Sequence, residues 1–291
     1  MNQCVDWMTV TVLVDNLKPG FQSPLQSQHG LSLLVDCAAK GRCWRILFDV
    51  GPDADLLLHN MRHLDIDPES VDLIVLSHAH SDHCGALLPV LARIGRKTPV
   101  LCHPNVLSNA AFLNGPKAIE QAGGQPIGVR SAYRILGGVW LSGEIPNQES
   151  FAAEDGAAAP TPSLAEDDLA LFANLSQSGL VIVTGCAHAG LVSTILHCMA
   201  LTGKPSVHAV LGGFHLGNHS SEEIDAILNE LEQGGVRFLF PGHCTGFEAA
   251  ARMYRRFPKA VHLLHVGRTM HFGRPYQDDY RGGNSKCRLP F

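Results

Sequence analysis

The sequence predicts a mixed α+β fold, and three observations carry that expectation. Short β-branched and apolar runs fill the first third of the chain. The second half alternates buried strands with amphipathic helices. Four of the buried strands end in a loop that holds a histidine: His78, His188, His215 and His243. The 291 residues are 45% hydrophobic and only 17% charged, which is ample for a sizeable core and excludes a disordered chain or a coiled coil. A single domain spanning residues 1–291 is expected.

The elements follow in order. Thr9–Val14, Leu31–Val35 and Trp44–Phe48 read as strands divided by polar turns, and Asp49-Val50-Gly51-Pro52 closes the third. Asp55–Leu64 reads as a helix because Leu56, Leu57 and Met61 share its spacing. Val71–Leu76 is a continuous apolar run, as in a buried strand, and Gly85–Ile94 returns to helical periodicity. Pro99–Cys102 and Tyr133–Leu141 look like strands. Residues 148–168, with Ala157-Ala158-Ala159-Pro160-Thr161-Pro162, read as a mobile surface loop of the kind that often faces substrate.

Leu180–Val183, Val207–Leu211 and Val236–Phe240 are the strands of the second half. Leu191–Leu201 is a helix closed by Gly203, and Phe247–Phe257 is a last helix stopped by Pro258. Ser220-Ser221-Glu222-Glu223 is a capping-box signal, and the helix behind it places Ile224, Ile227, Leu228 and Leu231 on one face. Strand ends along one sheet edge can converge on a single cleft, so the four loop histidines point to one site.

Charge and composition narrow the partners. A net charge of -5 lacks the electrostatic footprint of a general nucleic-acid or anionic-membrane binder, and Arg252, Arg255 and Arg256 form only one short basic cluster. No apolar run approaches the ~18 residues of a membrane span. No basic stretch precedes the apolar residues between Met1 and Val14, so no signal peptide is expected and a cytoplasmic location follows. Nine cysteines without a C-x-x-C pair read as reduced thiols. The expected partner is a small-molecule substrate, and the sequence leaves the oligomeric state open.

The densest chemistry is His78-x-His80-x-Asp82-His83. Two histidines two positions apart can clasp one cation when the loop bends, and Asp82 with His83 can serve a second. Nitrogen and carboxylate donors together suit two divalent ions, zinc first, with manganese or iron as further options.

That block matches the H-x-H-x-D-H signature, and the chain resembles the metallo-β-lactamase superfamily. More narrowly it resembles the branch named for dihydropterin-ribofuranosylaminobenzene-phosphate synthase. The matching stretches include Thr11-Val12-Leu13-Val14-Asp15-Asn16, His29-Gly30-Leu31-Ser32, Ile46-Leu47-Phe48-Asp49-Val50-Gly51, Gly185-Cys186-Ala187-His188-Ala189-Gly190, Gly212-Gly213-Phe214-His215 and His243-Cys244-Thr245-Gly246. The resemblance implies a four-layer αββα sandwich of two similar halves, with a binuclear metal site along one edge. It implies His78 and His80 on metal one, and Asp82, His83 and His243 on metal two. The flavodiiron oxidoreductases of the superfamily carry a glutamate where this chain has His80, so the resemblance leans toward hydrolysis or transfer.

Two departures from the superfamily pattern stand out. No P-G-H-x-x-G turn precedes the Thr184-Gly185 strand end; Ser142-Gly143-Glu144 lies roughly there. Cys186 stands where many members have an aspartate that bridges both metals, and His188 follows two residues on. His188 is the expected third ligand of metal one, and Cys186 is a thiolate candidate or a small buried residue. His215 fits, by chain order, the proton-donating histidine of the superfamily's phosphodiesterases, and Asp82 counts among the catalytic residues. Asn16 and Glu144 are expected to face the groove.

The expected function is a metal-dependent hydrolase or transferase acting on a phosphate- or diphosphate-bearing small molecule, a pterin among the options. Two other readings stand beside it: a non-catalytic metal or small-ligand binder on the same scaffold, and a nucleic-acid phosphodiesterase.

Overall fold

A computed structural model describes residues 4–108, 115–146 and 167–273. The expected loop over 148–168 therefore lies outside the described residues, apart from Asp167 and Asp168.

The first sheet is built from β1 (Trp7–Val14), β2 (Ser32–Ala39), β3 (Arg42–Phe48), β4 (Leu73–Val75), β5 (Thr98–Cys102) and β6 (Gly124–Gly128). The second holds β7 (Tyr133–Leu136), β8 (Val139–Leu141), β9 (Leu171–Leu175), β10 (Gly179–Thr184), β11 (Val207–Gly213) and β12 (Val236–Gly242). A last strand, β13 (Thr269–Gly273), returns to the open side of β1, giving the order β13-β1-β2-β3-β4-β5-β6 against β12-β11-β10-β9-β8-β7.

The two halves share one grammar. Strands β1 to β3 pair antiparallel and β3 to β6 pair parallel. Likewise β7 to β10 pair antiparallel and β10 to β12 parallel. Parallel neighbours need a crossover, and helices supply it. These are α1 (Ala54–His63), α2 (Ser81–Cys84), α3 (Leu87–Ile94), α4 (Pro104–Ser108) and α5 (Pro116–Gln121) in the first half. In the second half they are α6 (Leu191–Thr202) and α7 (Ser221–Gln233), with α8 (Phe247–Arg256) behind β12.

Side-chain alternation divides the strands between cores. On β3, Ile46 and Phe48 enter the core between the sheets while Leu47 faces the layer of α1 and α3. On β10, Val181 and Val183 enter the same inter-sheet core while Leu180 and Ile182 face α6 and α7. A strand buried on both faces has no polar face to show, which is why these segments are continuous apolar runs. Three cores thus hold four layers together as an αββα sandwich.

The sequence-predicted elements recur with shifted ends. The Gly85–Ile94 helix begins later, at Leu87, after the separate turn of α2. Tyr133–Leu141 is a hairpin, broken at Gly138, whose φ is 94°. The Ser220 capping box is present, with Ser220 Oγ accepting from the Glu223 amide and Glu223 accepting from the Ser220 amide. Gly203 ends α6 in the left-handed region at φ 66°, as helix stops commonly do. Strands β6, β9 and β13 and helices α4 and α5 carry no clear sequence signal; β6 contains Gly124, Pro126 and Gly128.

No helix among the described residues is long and apolar enough to cross a membrane. Two arginines of the short basic cluster are engaged by acids. Arg252 pairs with Asp225 and Glu248, and Arg256 with Glu232.

Candidate metal centre

The loops after β4, β10, β11 and β12 meet at one edge of the sandwich and bring the predicted donors together. Groups whose ligand atoms all lie within 4.8 Å of one another are His78, His80 and His188; His78, His83 and Cys186; Cys186, His188 and His215; Cys186, His243 and Cys244; and His29, Asp82 and His243. Every sequence-predicted metal residue is in this set, and Cys186 sits at the junction of three of the groups.

Proton bookkeeping shows which ring atoms face inward. Asp49 is wholly buried and accepts from the Ser77 amide at 2.7 Å and from Ser77 Oγ at 2.7 Å. With its hydroxyl proton given to Asp49, Ser77 Oγ accepts from His78 Nδ1 at 2.8 Å. His83 Nδ1 donates to Asp49 Oδ2 at 2.7 Å. His243 Nδ1 donates to Asn16 Oδ1 at 3.2 Å, and the His243 amide donates to Asp15 Oδ2 at 3.0 Å. Each of His78, His83 and His243 therefore keeps its proton on Nδ1 and turns the Nε2 lone pair toward the centre.

The inward lone pairs crowd one another. His83 Nε2 and His243 Nε2 are 3.0 Å apart, His78 Nε2 and His80 Nδ1 are 3.0 Å apart, and Cys186 Sγ is 3.2 Å from His83 Nε2. Asp82 Oδ2 lies 3.3 Å from His243 Nε2 and 3.8 Å from His83 Nε2. Donors on a tetrahedral ion with bonds of ~2.0–2.3 Å stand about 3.3–3.8 Å apart; the two Asp82 distances fall in that range, and the ring and thiol pairs are a few tenths of an ångström closer. Facing lone pairs repel unless a proton or a cation lies between them. His188 Nδ1 is buried with no hydrogen-bond partner among the described residues, as a ligand nitrogen awaiting its ion would be.

Electrostatics agree with a ligand role for His78 and His188, whereas at His243 burial is outweighed by the Asp82 and Cys244 side chains, which raise its pKa. Burial, followed by the neighbouring histidines, holds His78 well below the usual imidazole range. Burial, then His215 and His80, pulls His188 down to about 3. Both stay neutral, as metal-binding imidazoles must. Burial opposes ionisation of Asp82, but the neighbouring His243 and His83 rings outweigh it and leave the carboxyl well below the ordinary carboxylate value.

Strain marks the same loops. Asp49, Ala187, His215 and His243 adopt φ of 56°, 57°, 50° and 49° without being glycine. Side chains in this left-handed region cost free energy and cluster where a site needs them.

Several participants carried no sequence assignment. Asp49 was legible as a turn residue and Asp15 as the residue after a strand, both inside family-like stretches but with no role given to either. His29, with a side chain 70% exposed, points Nε2 at Asp82 Oδ2 from 3.2 Å and sets its ring 4.9 Å from that of His243. Asn16 faces the groove as expected. Glu144 does not join the donors: it pairs with Arg130 at 2.6 Å and His103 at 3.0 Å. The predicted loop's last residues pack against the site, Asp167 accepting from the Ala79 amide at 2.9 Å and Asp168 buried beside the Ala189 amide.

Residues 44–139 match the family described as a beta-lactamase superfamily domain. A 7,8-dihydropterin-6-methyl-4-(beta-D-ribofuranosyl)-aminobenzene-5'-phosphate synthase from Methanocaldococcus jannaschii is 34% identical over 292 residues, spanning 89% of this chain and 98% of that protein. The chain belongs to the metallo-β-lactamase superfamily, in the branch of that synthase. The crystal structure of a metal-dependent hydrolase of the beta-lactamase superfamily matches 92% of this chain and 100% of its own, at 26% identity and a TM-score of 0.72. A diphosphatase of the PhnP family shares the fold at 17% identity and a TM-score of 0.55, covering 92% of this chain and 98% of its own. Membership of the metallo-β-lactamase superfamily accounts for the paired halves and for a donor cluster at the sheet edge.

Proposed function

We propose that this chain is a metal-dependent enzyme acting on a small molecule that carries a phosphate or diphosphate, a pterin methyl diphosphate first among the candidates. The observation that carries the reading is the inward convergence of the His78, His83 and His243 lone pairs on the Asp82 carboxylate and the Cys186 thiol. Similarity to the synthase over 98% of its length supports the choice of substrate class.

His78, His80 and His188 would hold one divalent ion, and Asp82, His83 and His243 a second, with Cys186 between them. When bound, such ions lower the charge repulsion around a phosphoryl group and stabilise a departing diphosphate. The protein's own residues do the rest. Asp49 orients His83 directly and His78 through Ser77, so two donors of one loop share one buried anchor. Asn16 and Asp15 lock His243 from the ring and the backbone. His215 is exposed and stacks edge-on to His188 at 4.5 Å, and in this reading it gives a proton to a leaving oxygen. In the transfer reaction a carbon–oxygen bond to diphosphate breaks, a carbon–nitrogen bond to an arylamine forms, and the amine loses one proton. In hydrolysis, water takes the place of the amine.

The test is incubation of the zinc- or manganese-loaded protein with a dihydropterin methyl diphosphate, with and without an arylamine. Pyrophosphate released only with the amine establishes transfer. Phosphate or pyrophosphate released without it establishes hydrolysis. No release from this or a panel of phosphoesters overturns the enzyme reading.

A further inference from the structure

We propose that Cys244 is itself a metal ligand, and that with Cys186 and His243 it gives the centre a two-thiolate face. The inference rests on the metal-centre reading above and adds a donor from outside the H-x-H-x-D-H block.

Three observations carry it. First, Cys186 Sγ, a ring nitrogen of His243 and Cys244 Sγ all lie within 4.8 Å of one another, and both thiols are free. Second, the surroundings of Cys244 are polar. Cys37, Cys84, Cys102 and Cys198 each belong to an apolar core, whereas Cys244 is half-buried and belongs to none of the three. Its sulfur accepts from the His215 amide at 3.3 Å and its thiol donates to the Cys186 carbonyl at 3.8 Å, contacts of a polar sulfur beside the donor cluster. Third, the thiol sits tightly against the backbone of the neighbouring strand end. A Cβ on Gly213 would overlap the Gly185 carbonyl oxygen and fall 2.6 Å from Cys244 Sγ and 3.3 Å from His243 Cδ2, so glycine is required there by the backbone as well as by the two side chains. The loops that present the donors are held in the left-handed region at Ala187, His215 and His243, which aims Cys186, Cys244 and His188 at one volume.

The chemistry has two consequences. Thiolates are soft donors, so the centre should take zinc, cadmium or cobalt in preference to manganese or magnesium. Asp82, Cys186 and Cys244 would bring three negative charges to two divalent ions, leaving one net positive charge to attract a phosphate-bearing substrate.

Cobalt(II) titration of the metal-free, full-length protein under a phosphine reductant tests this without reference to turnover. Cobalt–thiolate bonds give a near-ultraviolet charge-transfer band, while imidazole ligation keeps the visible bands. The wild type should show both. C186S and C244S should each lose roughly half of the near-ultraviolet band, and the double variant all of it, with the visible bands retained. Cys198→Ser, in a core remote from the donors, should match the wild type. A C244S protein with the full wild-type band overturns the Cys244 assignment and leaves the metal centre standing. A wild type that takes up neither cobalt nor zinc overturns both. Should C244S fail to fold by circular dichroism, cadmium NMR of the wild type counts sulfur donors directly, and one sulfur in place of two overturns the inference.

Discussion

Asp49 Oδ2 and His83 Nδ1 lie 2.7 Å apart, and neither side chain is exposed to solvent. The same carboxylate takes both protons offered by Ser77, so one residue at the end of β3 orients candidate ligands contributed by the loop after β4. Asp49→Asn keeps the shape but replaces an acceptor oxygen with a donor amide. Zinc affinity should fall about 10–100-fold while the fold persists. Chelator competition measures it, and an unchanged affinity would remove Asp49 from the ligand-orienting role.

His188 and His83 should separate the two ions. Elemental analysis should find two equivalents of divalent metal in the wild type and about one in His188→Ala or His83→Ala. Saturating zinc should also raise the melting temperature of the wild type more than that of either variant, since a ligand bound only by the folded state stabilises it. Two full equivalents in both variants would contradict the assignment.

His215 is proposed to move a proton, and its ring lies within ligand distance of Cys186 and His188. A general acid and a ligand behave differently when removed. His215→Gln should lower kcat by about 10²-fold with KM and metal content little changed. A loss of one metal equivalent would instead make His215 a ligand.

Gly185 packs against the Asp49 network. A Cβ there would overlap the Ser77 side chain and come 3.2 Å from Asp49 Oδ2. Gly185→Ala should cost about 1–3 kcal/mol in denaturant unfolding and weaken metal uptake at the same time. A stable protein with weakened uptake would still place the effect in the ligand network; wild-type values for both would not.

Asp168 ties metal-free stability to pH. Burial raises its pKa from 3.8 to about 7, partly offset by the Ala189 amide. The folded state therefore keeps a proton that the unfolded chain releases between those values. This contribution is full below pH 3.8, declines as pH rises toward 7, and is gone above it. Asp168→Asn mimics the protonated acid and should gain on the wild type by about 1–3 kcal/mol between pH 4 and pH 8. Thermal melts of the metal-free proteins at both pH values decide it, and a pH-independent gap would contradict a buried, proton-holding Asp168.

Much of the fold was legible because its signals are local. Strand runs such as Leu180–Val183 announce burial on both faces by lacking polar alternation, and the Ser220–Glu223 box marks a helix start within four residues. Strand β6 was not legible, since Gly124, Pro126 and Gly128 lack strand propensity and pair with β5 because the parallel sheet extends to them. Glu144 was expected at the groove on chain order alone. Arg130 and His103, brought beside it by β6 and β5, take it instead.

The donors of the H-x-H-x-D-H block and the loop histidines could be named from the chain alone, because metal ligands need particular side chains and those of the block lie close in sequence. Which nitrogen each ring offers could not. That depends on Asp49 reaching His83 across 34 positions, Asn16 reaching His243 across 227, and His83 meeting His243 across 160. Such contacts leave no local period or propensity behind. They arise only when two sheets pack face to face and bring their strand ends to one edge, where buried partners settle the proton on each imidazole and turn its lone pair inward.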